Sequence, residues 1–390
     1  MVRVRGRLTA LLLAVRLVSA APELVPGQAF DRLITIWLEN QDFDRVTVDA
    51  NIGDLKRQGL FLTRFFAQTH PSQPNYLATV GGDYFGLDHD SPVRVPENVS
   101  TIADLLEDRQ ISWAGYFEDM PGPGYMAEAS DGHTGNGGWD YVRKHNPFVS
   151  YDSVSGNGSR LLNLQSFADF QRALDADELP QFVFPTPNVM NDGHNTTLKY
   201  ATDWSIAFLR PLLASPSLAA TRTLIMLTYD ESETYAKPNH IATLLLGSAV
   251  PAALRGTHDD TFYTHYSLLS TMELNWQLCH LGRYDVGANV FAFVADLAGS
   301  TAKNREPSNA PSVDNSISYP GPLHSDLAKR TAWPPPNLEL IGPGGKPVLD
   351  TIRLAWEADA EADTPYDGSG NVFDGAKNAP VYKKPAVNAA

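Results

Sequence analysis

The chain alternates short apolar runs with amphipathic stretches from about residue 31 onward. Apolar runs that stop abruptly at charged or amide residues are typical of buried strands, whereas apolar positions repeating every three or four residues are typical of helices. The strand-like runs are residues 31–40, 60–69, 111–118, 181–188, 222–231 and 240–248. The helix-like stretches are residues 52–59, 101–110, 164–180, 196–216 and 263–278.

This alternation predicts an α/β fold with a mostly parallel central sheet flanked by helices. Residues 119–160 interrupt the pattern because they are rich in Gly, Asn and Ser, so we expect a loop-rich insertion over one edge of the sheet. Residues 301–337 have the Pro, Ser and Asn content of a linker. Beyond them, residues 347–358 predict a helix or strand in an otherwise peripheral extension.

The first twenty residues have the layout of a secretory signal peptide. A basic start is followed by a short apolar run and by the small-residue ending "VSA", although an ordinary N-terminal helix is the alternative interpretation. Asn98, Asn157 and Asn195 each lie in an N-x-S/T sequon, which is compatible with export through a glycosylating pathway. We expect glycans on Asn98 and Asn157. Cys279 is the only cysteine, so no intrachain disulfide is possible.

Charge and composition narrow the classes of protein. With 45 acidic and 30 basic residues, the net charge of -15 argues against nucleic-acid binding by a general basic surface. The N-terminal apolar run is too short to remain as a membrane span, and the polar C-terminal residues carry no lipidation or anchor signal. We therefore expect a secreted globular protein without a stable membrane anchor; the sequence does not indicate its oligomeric state.

Polar side chains cluster where four of the predicted strands end. These groups are Glu39 with Asn40, residues 69–75, residues 188–194, and Asp230 with Glu231. Each group alone has an ordinary explanation as a turn, a helix cap or a solvated strand end. In an open parallel sheet, however, ligands bind beyond the carboxyl ends of the strands. Four such groups therefore predict one shared site.

The residue types in these groups suit a metal-assisted reaction at phosphorus. Carboxylates and the Asn40 amide oxygen are hard ligands for a divalent cation. Ser72 precedes a predicted helix, whose first N–H groups can hold a phosphoryl oxygen, and a nearby cation can activate a serine hydroxyl as a nucleophile. His194 and His265 are the best-placed proton donors, with His70 and His133 behind them, and His70 has no assignable purpose.

Five ordered motifs resemble the phosphoesterase family that contains secreted fungal acid phosphatases and bacterial phospholipases C. They are "WLEN", "THPSQPNYLATVGG", "PNVMNDGH", "TYDE" and "YTHYSLLSTMELNWQLCHLGRYDVGANVF", and the resemblance spans roughly residues 31–295. The last motif and the "SETYAKPNH" that follows Glu231 resemble the acid phosphatase branch. The resemblance implies an alkaline-phosphatase-like α/β core and a metal-dependent site.

The resemblance also implies roles for individual residues. Ser72 is expected to form a phosphoserine, with His194 and His265 contacting phosphate or protonating the leaving alcohol. The expected ligands of a divalent metal ion of unknown identity are Glu39, Asn40, Asp230 and Glu231. The expected substrate contacts are Asn40, Asn75, Asp192 and His194. Asn195 replaces the acidic residue common in the family and creates a sequon beside the proposed site. Because a glycan there would crowd the substrate, we predict that Asn195 is unglycosylated or points outward.

The leading hypothesis is a secreted acid phosphatase that hydrolyses a small phosphorylated monoester. It divides the chain into a signal peptide (1–20), a phosphoesterase catalytic domain (21–300) and a linker with a peripheral extension (301–390). The alternatives are a phosphodiesterase or phospholipase C on the same core, and a secreted binding glycoprotein without turnover.

Overall fold

The computed structural model describes residues 24–130, 139–236, 238–301, 303–308, 310 and 313–371. The predicted signal peptide, His133 and the C-terminal tail from residue 372 lie outside the described residues.

Eleven strands are present in the described part of the chain. They are β1 (Arg32–Leu38), β2 (Leu60–Phe66), β3 (Trp113–Phe117), β4 (Ala129–Ser130), β5 (Tyr141–Val142), β6 (Leu164–Ser166), β7 (Phe182–Thr186), β8 (Thr223–Tyr229), β9 (His240–Leu246), β10 (Thr257–Asp259) and β11 (Tyr263–Thr264).

Twelve α-helices connect or flank these strands within the same described ranges. They are α1 (Phe43–Thr47), α2 (Ala50–Lys56), α3 (Ser72–Gly81), α4 (Ile102–Asp108), α5 (Asp152–Ser155), α6 (Gly158–Leu161), α7 (Phe167–Asp175), α8 (Leu198–Ala214), α9 (Pro216–Ala220), α10 (His265–Trp276), α11 (Ala292–Leu297) and α12 (Asp350–Ala355). Short 3₁₀ turns cover Arg143–His145, Phe148–Ser150, Ala252–Leu254, Leu327–Lys329 and Glu357–Asp359.

A nine-stranded sheet forms the centre of the molecule. Its order is β10-β2-β9-β8-β1-β7-β3-β6, with β11 pairing with β2. The pairs β1–β7, β1–β8, β3–β7 and β3–β6 are parallel, whereas β9 is antiparallel to both β8 and β2. Strands β2 and β8 therefore run in the same direction as β1. The predicted mostly parallel α/β architecture is confirmed, with β9 as the antiparallel exception.

The central strands are buried on both faces, which explains their continuous apolar sequences. All seven residues of β1, "RLITIWL", are buried, and so are all seven of β8, "TLIMLTY". Strands covered by helices on both faces need no alternating polar positions. One predicted boundary differs: Leu164–Ser166 forms β6, and α7 begins only at Phe167, because Ser166 and Asp169 form a capping box there.

The described part of the C-terminal segment packs against the rest of the molecule. Leu338, Val348 and Ile352 belong to the same hydrophobic cluster as β1 and β8. Asn315 donates to the carbonyl of Ala67 at 2.8 Å, directly after β2. Composition indicated a linker and a peripheral extension here, but these contacts make the segment a structural part of the core and of the loop that leads to the site.

The insertion of residues 119–160 also differs in position from the expectation. Its described part contains β4, β5, α5, α6 and two 3₁₀ turns. The turn Arg143–His145 contacts α3, and the ring of His145 stacks on Tyr76 of that helix with centroids 5.1 Å apart. The insertion thus reaches the carboxyl ends of the strands in addition to covering the sheet.

Within the described residues, none of the helices combines the length and the apolar character that a bilayer crossing requires.

Candidate active site

The sheet topology brings the four predicted polar groups to one edge. Strands β1, β2, β7 and β8 share one direction, so the residues that follow them meet at the same edge. Glu39 follows β1 and Asp230 follows β8, and the backbone N–H of Asp230 donates to the carbonyl of Leu38 at 3.0 Å. The N–H of Glu39 donates to the carbonyl of Asp192, in the loop after β7.

Ser72 is the first residue of α3 and lies among oxygen atoms. Its Oγ is 2.9 Å from Glu231 Oε1, 3.0 Å from Glu39 Oε2 and 3.5 Å from Asn40 Oδ1. A hydroxyl carries a single proton, so it cannot donate to three acceptors at once. The side chains of Ser72, Glu39 and Glu231 are almost fully buried. Three acceptor oxygens therefore surround a hydroxyl that has one proton to donate.

Asn40 and Asp230 complete this group, which we call the oxygen half: Glu39, Asn40, Ser72, Asp230 and Glu231. The Asn40 backbone N–H donates to Asp230 Oδ1 at 3.1 Å, and its Nδ2 donates to Glu231 Oε1 at 3.0 Å. Asp230 Oδ2 is buried and has no hydrogen-bond partner in the described part of the chain. An unpartnered buried carboxylate oxygen is costly unless a cation or proton satisfies it.

The electrostatics of the oxygen half show the same shortage of positive charge. Burial, followed by the neighbouring charges of Glu39 and Glu231, raises the pKa of Asp230 well above its usual range. Burial also raises the pKa of Glu231, although contacts with His70 oppose this. Carboxylates that share a dry site cannot all ionise without a compensating charge.

The second group, which we call the histidine half, consists of His145, Asp192 and His194. His145 Nε2 lies 3.3 Å from Glu39 Oε1, and its Nδ1 lies 3.4 Å from Asp192 Oδ2. His194 Nδ1 lies 3.4 Å from Glu39 Oε2, and its side chain is 35% exposed. Glu39 therefore touches both halves, and His194 is the histidine with access to solvent.

Charges in the histidine half compensate one another. Burial disfavours a charged His145, but Glu39 and Asp192 raise its pKa to about 9. Burial would likewise raise the pKa of Glu39, yet His145, His194 and Lys144 lower it well below its usual range. Burial raises the pKa of Asp192 to about 6 against the opposing contact with His145. Glu39 is thus held ionised by cations that the oxygen half lacks.

The donor atoms fit a divalent cation. The oxygen half offers hard carboxylate and amide oxygens, including the unpartnered Asp230 Oδ2. A second possible set is Glu39, His145 and Asp192, whose ligand atoms all lie within 4.8 Å of one another. The two sets share Glu39. A buried cluster that can bind a metal is therefore present, and its crowded carboxylates explain why a cation would be stabilising there.

Asn75 lies at the site but its amide serves the loop that carries Ser72. Its Oδ1 accepts the N–H groups of Gln68 and Thr69, and its Nδ2 donates to the carbonyls of Thr69 and Pro71. These four hydrogen bonds engage both the oxygen and the nitrogen of the amide. The structure thus gives Asn75 a supporting position in place of the predicted substrate contact.

His265 also differs from its predicted position. Its Nε2 lies 2.7 Å from the backbone carbonyl of Asp230, and its ring packs against Trp37 and Phe65. Complete burial lowers the pKa of His265 to about 4, so the ring is uncharged at neutral pH. This hydrogen bond fixes the backbone carbonyl of Asp230. The structure thus shows a supporting contact, and the catalytic role of His265 stays a prediction.

Asp192 is likewise beneath the surface and not open to substrate. It is fully buried, and its Oδ1 accepts the backbone N–H of His194 at 2.8 Å. Asp192 therefore orients His145 and His194, whereas a direct substrate contact was expected.

His70 acquires a purpose that the sequence did not indicate. Its Nδ1 contacts Glu231 Oε2, and its ring stacks on Tyr235 with centroids 4.1 Å apart. The peptide bond between His70 and Pro71 is cis. His70 thus holds Glu231 in the orientation in which Oε1 faces Ser72.

Sequence reasoning missed His145, Tyr76 and Lys144. Tyr76 donates its phenol proton to Glu39 Oε1, and Lys144 donates to Asp90 Oδ2 at 3.0 Å. Burial opposes the charge on Lys144, but Glu39, Asp90 and Asp230 raise its pKa. His145 and Lys144 lie in the insertion and follow no predicted strand, so strand-end reasoning could not find them. Tyr76, one helical turn after Ser72, shares its face of α3 and was accessible to a helical-spacing argument.

The three sequon asparagines are exposed. Asn98 and Asn157 lie outside the site residues, and Asn157 caps α6 by accepting the N–H groups of Ser159 and Arg160. Asn195 is exposed beside His194. Their glycosylation stays a prediction.

Comparison with known proteins assigns the family. Residues 41–279 match the model of the Phosphoesterase family, which is more than half of the chain. The chain belongs to the Phosphoesterase family. The predicted resemblance is therefore confirmed, and the matched residues of this Phosphoesterase family member include Ser72, Asp230 and His145.

Curated relatives of this Phosphoesterase family member are named as phosphatases. A protein of Kluyveromyces lactis named "Probable acid phosphatase" is 44% identical over 85% of this chain and 77% of its own length. The "Phosphate-repressible acid phosphatase" of Penicillium chrysogenum is 41% identical over 89% of this chain and 84% of its own. A "Phosphatidylinositol-3-phosphatase" of Mycobacterium tuberculosis is 30% identical over 57% of this chain and 68% of its own.

Among solved structures, an alkaline phosphatase superfamily protein from Vibrio parahaemolyticus is similar at 15% identity. The match has a TM-score of 0.40 and covers 66% of this chain and 71% of the other.

Proposed function

We propose that this protein is an acid phosphatase that hydrolyses phosphate monoesters through a phosphoserine on Ser72. The observation that carries the proposal is the position of Ser72 Oγ, 2.9–3.0 Å from the carboxylates of Glu231 and Glu39 at the first residue of α3. Relatives named as acid phosphatases, 41–44% identical over most of the chain, support this activity.

Ser72 would attack phosphorus in line with the leaving alcohol. The bond between Oγ and phosphorus forms as the bond to the alcohol oxygen breaks, and the hydroxyl proton passes to Glu231, which is within hydrogen-bond distance. Water then attacks the phosphoserine, releases phosphate and regenerates the hydroxyl. Tyr76 and His145 hold Glu39 ionised and in place during both steps.

His194 is the best candidate for the acid that protonates the leaving alcohol. Its side chain is partly exposed and its Nδ1 faces Glu39, so it lies between solvent and the nucleophile's carboxylate. His145, in contrast, is almost fully buried with both ring nitrogens directed at carboxylates. We therefore assign proton transfer to His194 and charge balance to His145.

A divalent cation is proposed in the oxygen half, held by Glu39, Asn40, Asp230 and Glu231. When bound, it would offset the crowded carboxylates, lower the pKa of the Ser72 hydroxyl and attract the phosphoryl oxygens. The first-turn amide of Gln73 is not free for this task, because it donates to Asp90 Oδ1 at 3.0 Å. Stabilisation by the N-terminus of α3 is therefore smaller than the helix dipole alone suggests.

The test is hydrolysis of p-nitrophenyl phosphate by the Ser72→Ala variant. We expect no measurable release of p-nitrophenol from a correctly folded variant, and acid quenching of the wild type should trap phosphate on the Ser72 peptide in mass spectrometry. A Ser72→Ala enzyme that turns over like the wild type would remove Ser72 as nucleophile. Parallel rates on a choline phospholipid separate the monoesterase from the diesterase alternative.

Secretion and glycosylation belong to the same proposal. A cleaved signal peptide would leave a mature chain beginning near Ala21, which N-terminal sequencing of protein from the culture medium can check. Exposed Asn98 and Asn157 would carry glycans, whereas Asn195 beside His194 would not. An occupied Asn195 in a fully active enzyme would contradict the expectation that a glycan there crowds the substrate.

A further inference from the structure

A cleft of about 330 Å³ adjoins the active site on the side of the insertion. We call it the Trp139 cleft; among its lining residues are Gln73, Asp90, Glu128, Trp139, Arg143 and Lys144. Ligand pockets typically start at about 300 Å³, so this cleft can hold a group of the size of an aromatic ring with its substituents. A methyl or ethyl group would leave most of it unfilled.

Two links connect the cleft with the nucleophile. Gln73 follows Ser72 directly in α3, and its N–H donates to Asp90 Oδ1 at 3.0 Å. The other oxygen of Asp90 accepts Lys144 Nζ at 3.0 Å. Lys144 and His145 are neighbours in the 3₁₀ turn whose histidine contacts Glu39. One wall of the cleft is therefore built from the same elements that hold the catalytic carboxylates.

The wall of the cleft offers a flat aromatic surface for a ring. Trp139 is 57% exposed although it lines the cleft, so its indole is available to stack on a ring. Lys144 pairs with Asp90, whereas the hydrogen bonds of Arg143 shown for the described residues go to the backbone carbonyls of Met126 and Val149, and its Nε is buried without a hydrogen-bond partner. Glu128 adds a carboxylate to the same wall. Recognition of a ring in this cleft therefore depends on the indole of Trp139.

We propose that the Trp139 cleft binds the alcohol half of the substrate, and that the preferred substrates are phosphate monoesters of a flat ring alcohol, aryl or nucleoside, stacked on Trp139. This proposal rests on the proposed phosphatase function, because it uses Ser72 as the point where phosphate is held. Arg143 and Lys144 form the polar wall of the cleft. Asp90 links this wall to α3, because it accepts hydrogen bonds from both Lys144 and the Gln73 N–H.

The experiment compares ring and alkyl substrates. We would measure kcat/KM for phenyl phosphate, adenosine 5′-monophosphate and ethyl phosphate with the wild type, Trp139→Ala and Trp139→Phe. Leu354→Ala is the matched control, because Leu354 is 71% exposed on α12 and lies outside the cleft lining. Stacking of aromatic rings predicts that Trp139→Ala lowers the ring-to-ethyl ratio about three- to tenfold. Trp139→Phe should keep most of the ratio, and Leu354→Ala all of it.

The outcomes separate this proposal from the function on which it rests. A Trp139→Ala enzyme with a wild-type melting temperature and an unchanged ring-to-ethyl ratio overturns the cleft assignment. A ratio that falls for adenosine 5′-monophosphate but not for phenyl phosphate selects the nucleoside as the ring, and the reverse selects the aryl group. If Ser72→Ala still turns over, the proposed function has failed. Calorimetry with adenosine then decides the cleft, since equal affinity for the wild type and Trp139→Ala would reject it.

Discussion

The two halves of the site share Glu39 but have opposite electrostatic needs. The oxygen half places three ionisable or polar side chains around Ser72 and leaves Asp230 Oδ2 without a partner in the described structure. The histidine half surrounds the same Glu39 with His145 and His194, and Lys144 lies close enough to lower its pKa further. One half is short of positive charge, and the other supplies its own.

This difference in available positive charge predicts where a cation binds. Burial raises the pKa of Asp230 and Glu231, so these carboxylates are costly to ionise. In the metal-free protein, against the effect of burial, Glu39 and Asp192 raise the pKa of His145 to about 9, so a cation that binds this ring must displace a proton. We therefore expect the metal in the oxygen half, and the geometric cluster of Glu39, His145 and Asp192 to be an internal ion pair.

The largest expected effect comes from breaking the oxygen half with Asp230→Asn. The substitution keeps the size of the side chain but removes a charge and an unpartnered oxygen that the cation would use. We expect kcat/KM for p-nitrophenyl phosphate to fall by about 10³-fold or more, as for loss of a central electrostatic group. Metal analysis of the purified variant should show loss of the tightly bound ion. Asp54→Asn, at an exposed carboxylate on α2, is the control.

The second prediction tests the histidine half with His145→Gln. Because His145 balances the charge of Glu39 without binding the metal, the variant should keep its metal and lose about 10- to 100-fold in activity, as for other groups that orient ligands. The pKa of Glu39 should rise when His145 is removed, so the acidic limb of the pH profile should move to higher pH. Loss of the metal from His145→Gln, with retention in Asp230→Asn, would place the cation in the histidine half.

A third prediction concerns stability in the metal-free protein. His145 has a folded-state pKa of about 9 against an ordinary value of 6.5. Its contribution is therefore fully present below pH 6.5 and is lost as the pH rises through 9. That pKa difference corresponds to at most about 3 kcal/mol. Chemical unfolding of chelator-treated protein should show a declining free energy of unfolding over this window.

Asp192 extends the same trend to lower pH. Its folded-state pKa of about 6 lies above the ordinary 3.8, so its contribution is lost as the pH rises through 6. The His145→Gln variant should lose the part of the decline that His145 causes between pH 6.5 and 9. Its remaining decline should begin near pH 6 and extend to higher pH, because His145 no longer lowers the pKa of Asp192. His258→Gln, at an exposed histidine on β10, should behave like the wild type. A metal-free wild type whose stability rises from pH 6.5 to 9 would contradict the charge assignment.

The oxygen half was accessible from sequence and the histidine half mostly was not, for a physical reason. Strand direction follows from the alternation of strands and helices, and parallel strands carry their last residues to the same edge. Glu39, Asp230 and Ser72 could therefore be grouped without coordinates. His145 lies in an insertion without periodicity, and its approach to Glu39 depends on the packing of one 3₁₀ turn against α3.

The same limit explains the residues placed elsewhere than expected. Motif resemblance places a residue near a site but does not state which way its side chain faces. Asn75 and His265 both follow strands that lead to the site, yet their polar atoms are directed at the backbone. Composition likewise indicated a linker after residue 300, whereas Asn315 bonds the backbone after β2. Side-chain direction and long-range packing are tertiary properties.

The smallest expected effect comes from His265→Leu, which removes the donor without adding a polar group. If His265 only supports the Asp230 backbone, the variant should lose less than about tenfold in kcat, and its free energy of unfolding should fall by about 1–2 kcal/mol because a buried carbonyl loses its donor. The pH profile should not move above about pH 5, since a ring with a pKa of about 4 is mostly neutral there. Complete loss of activity in a variant with wild-type stability and metal content would instead restore His265 to the catalytic group. In that case His265, which contacts the backbone of Asp230 directly after β8, would belong with the residues that take part in the reaction.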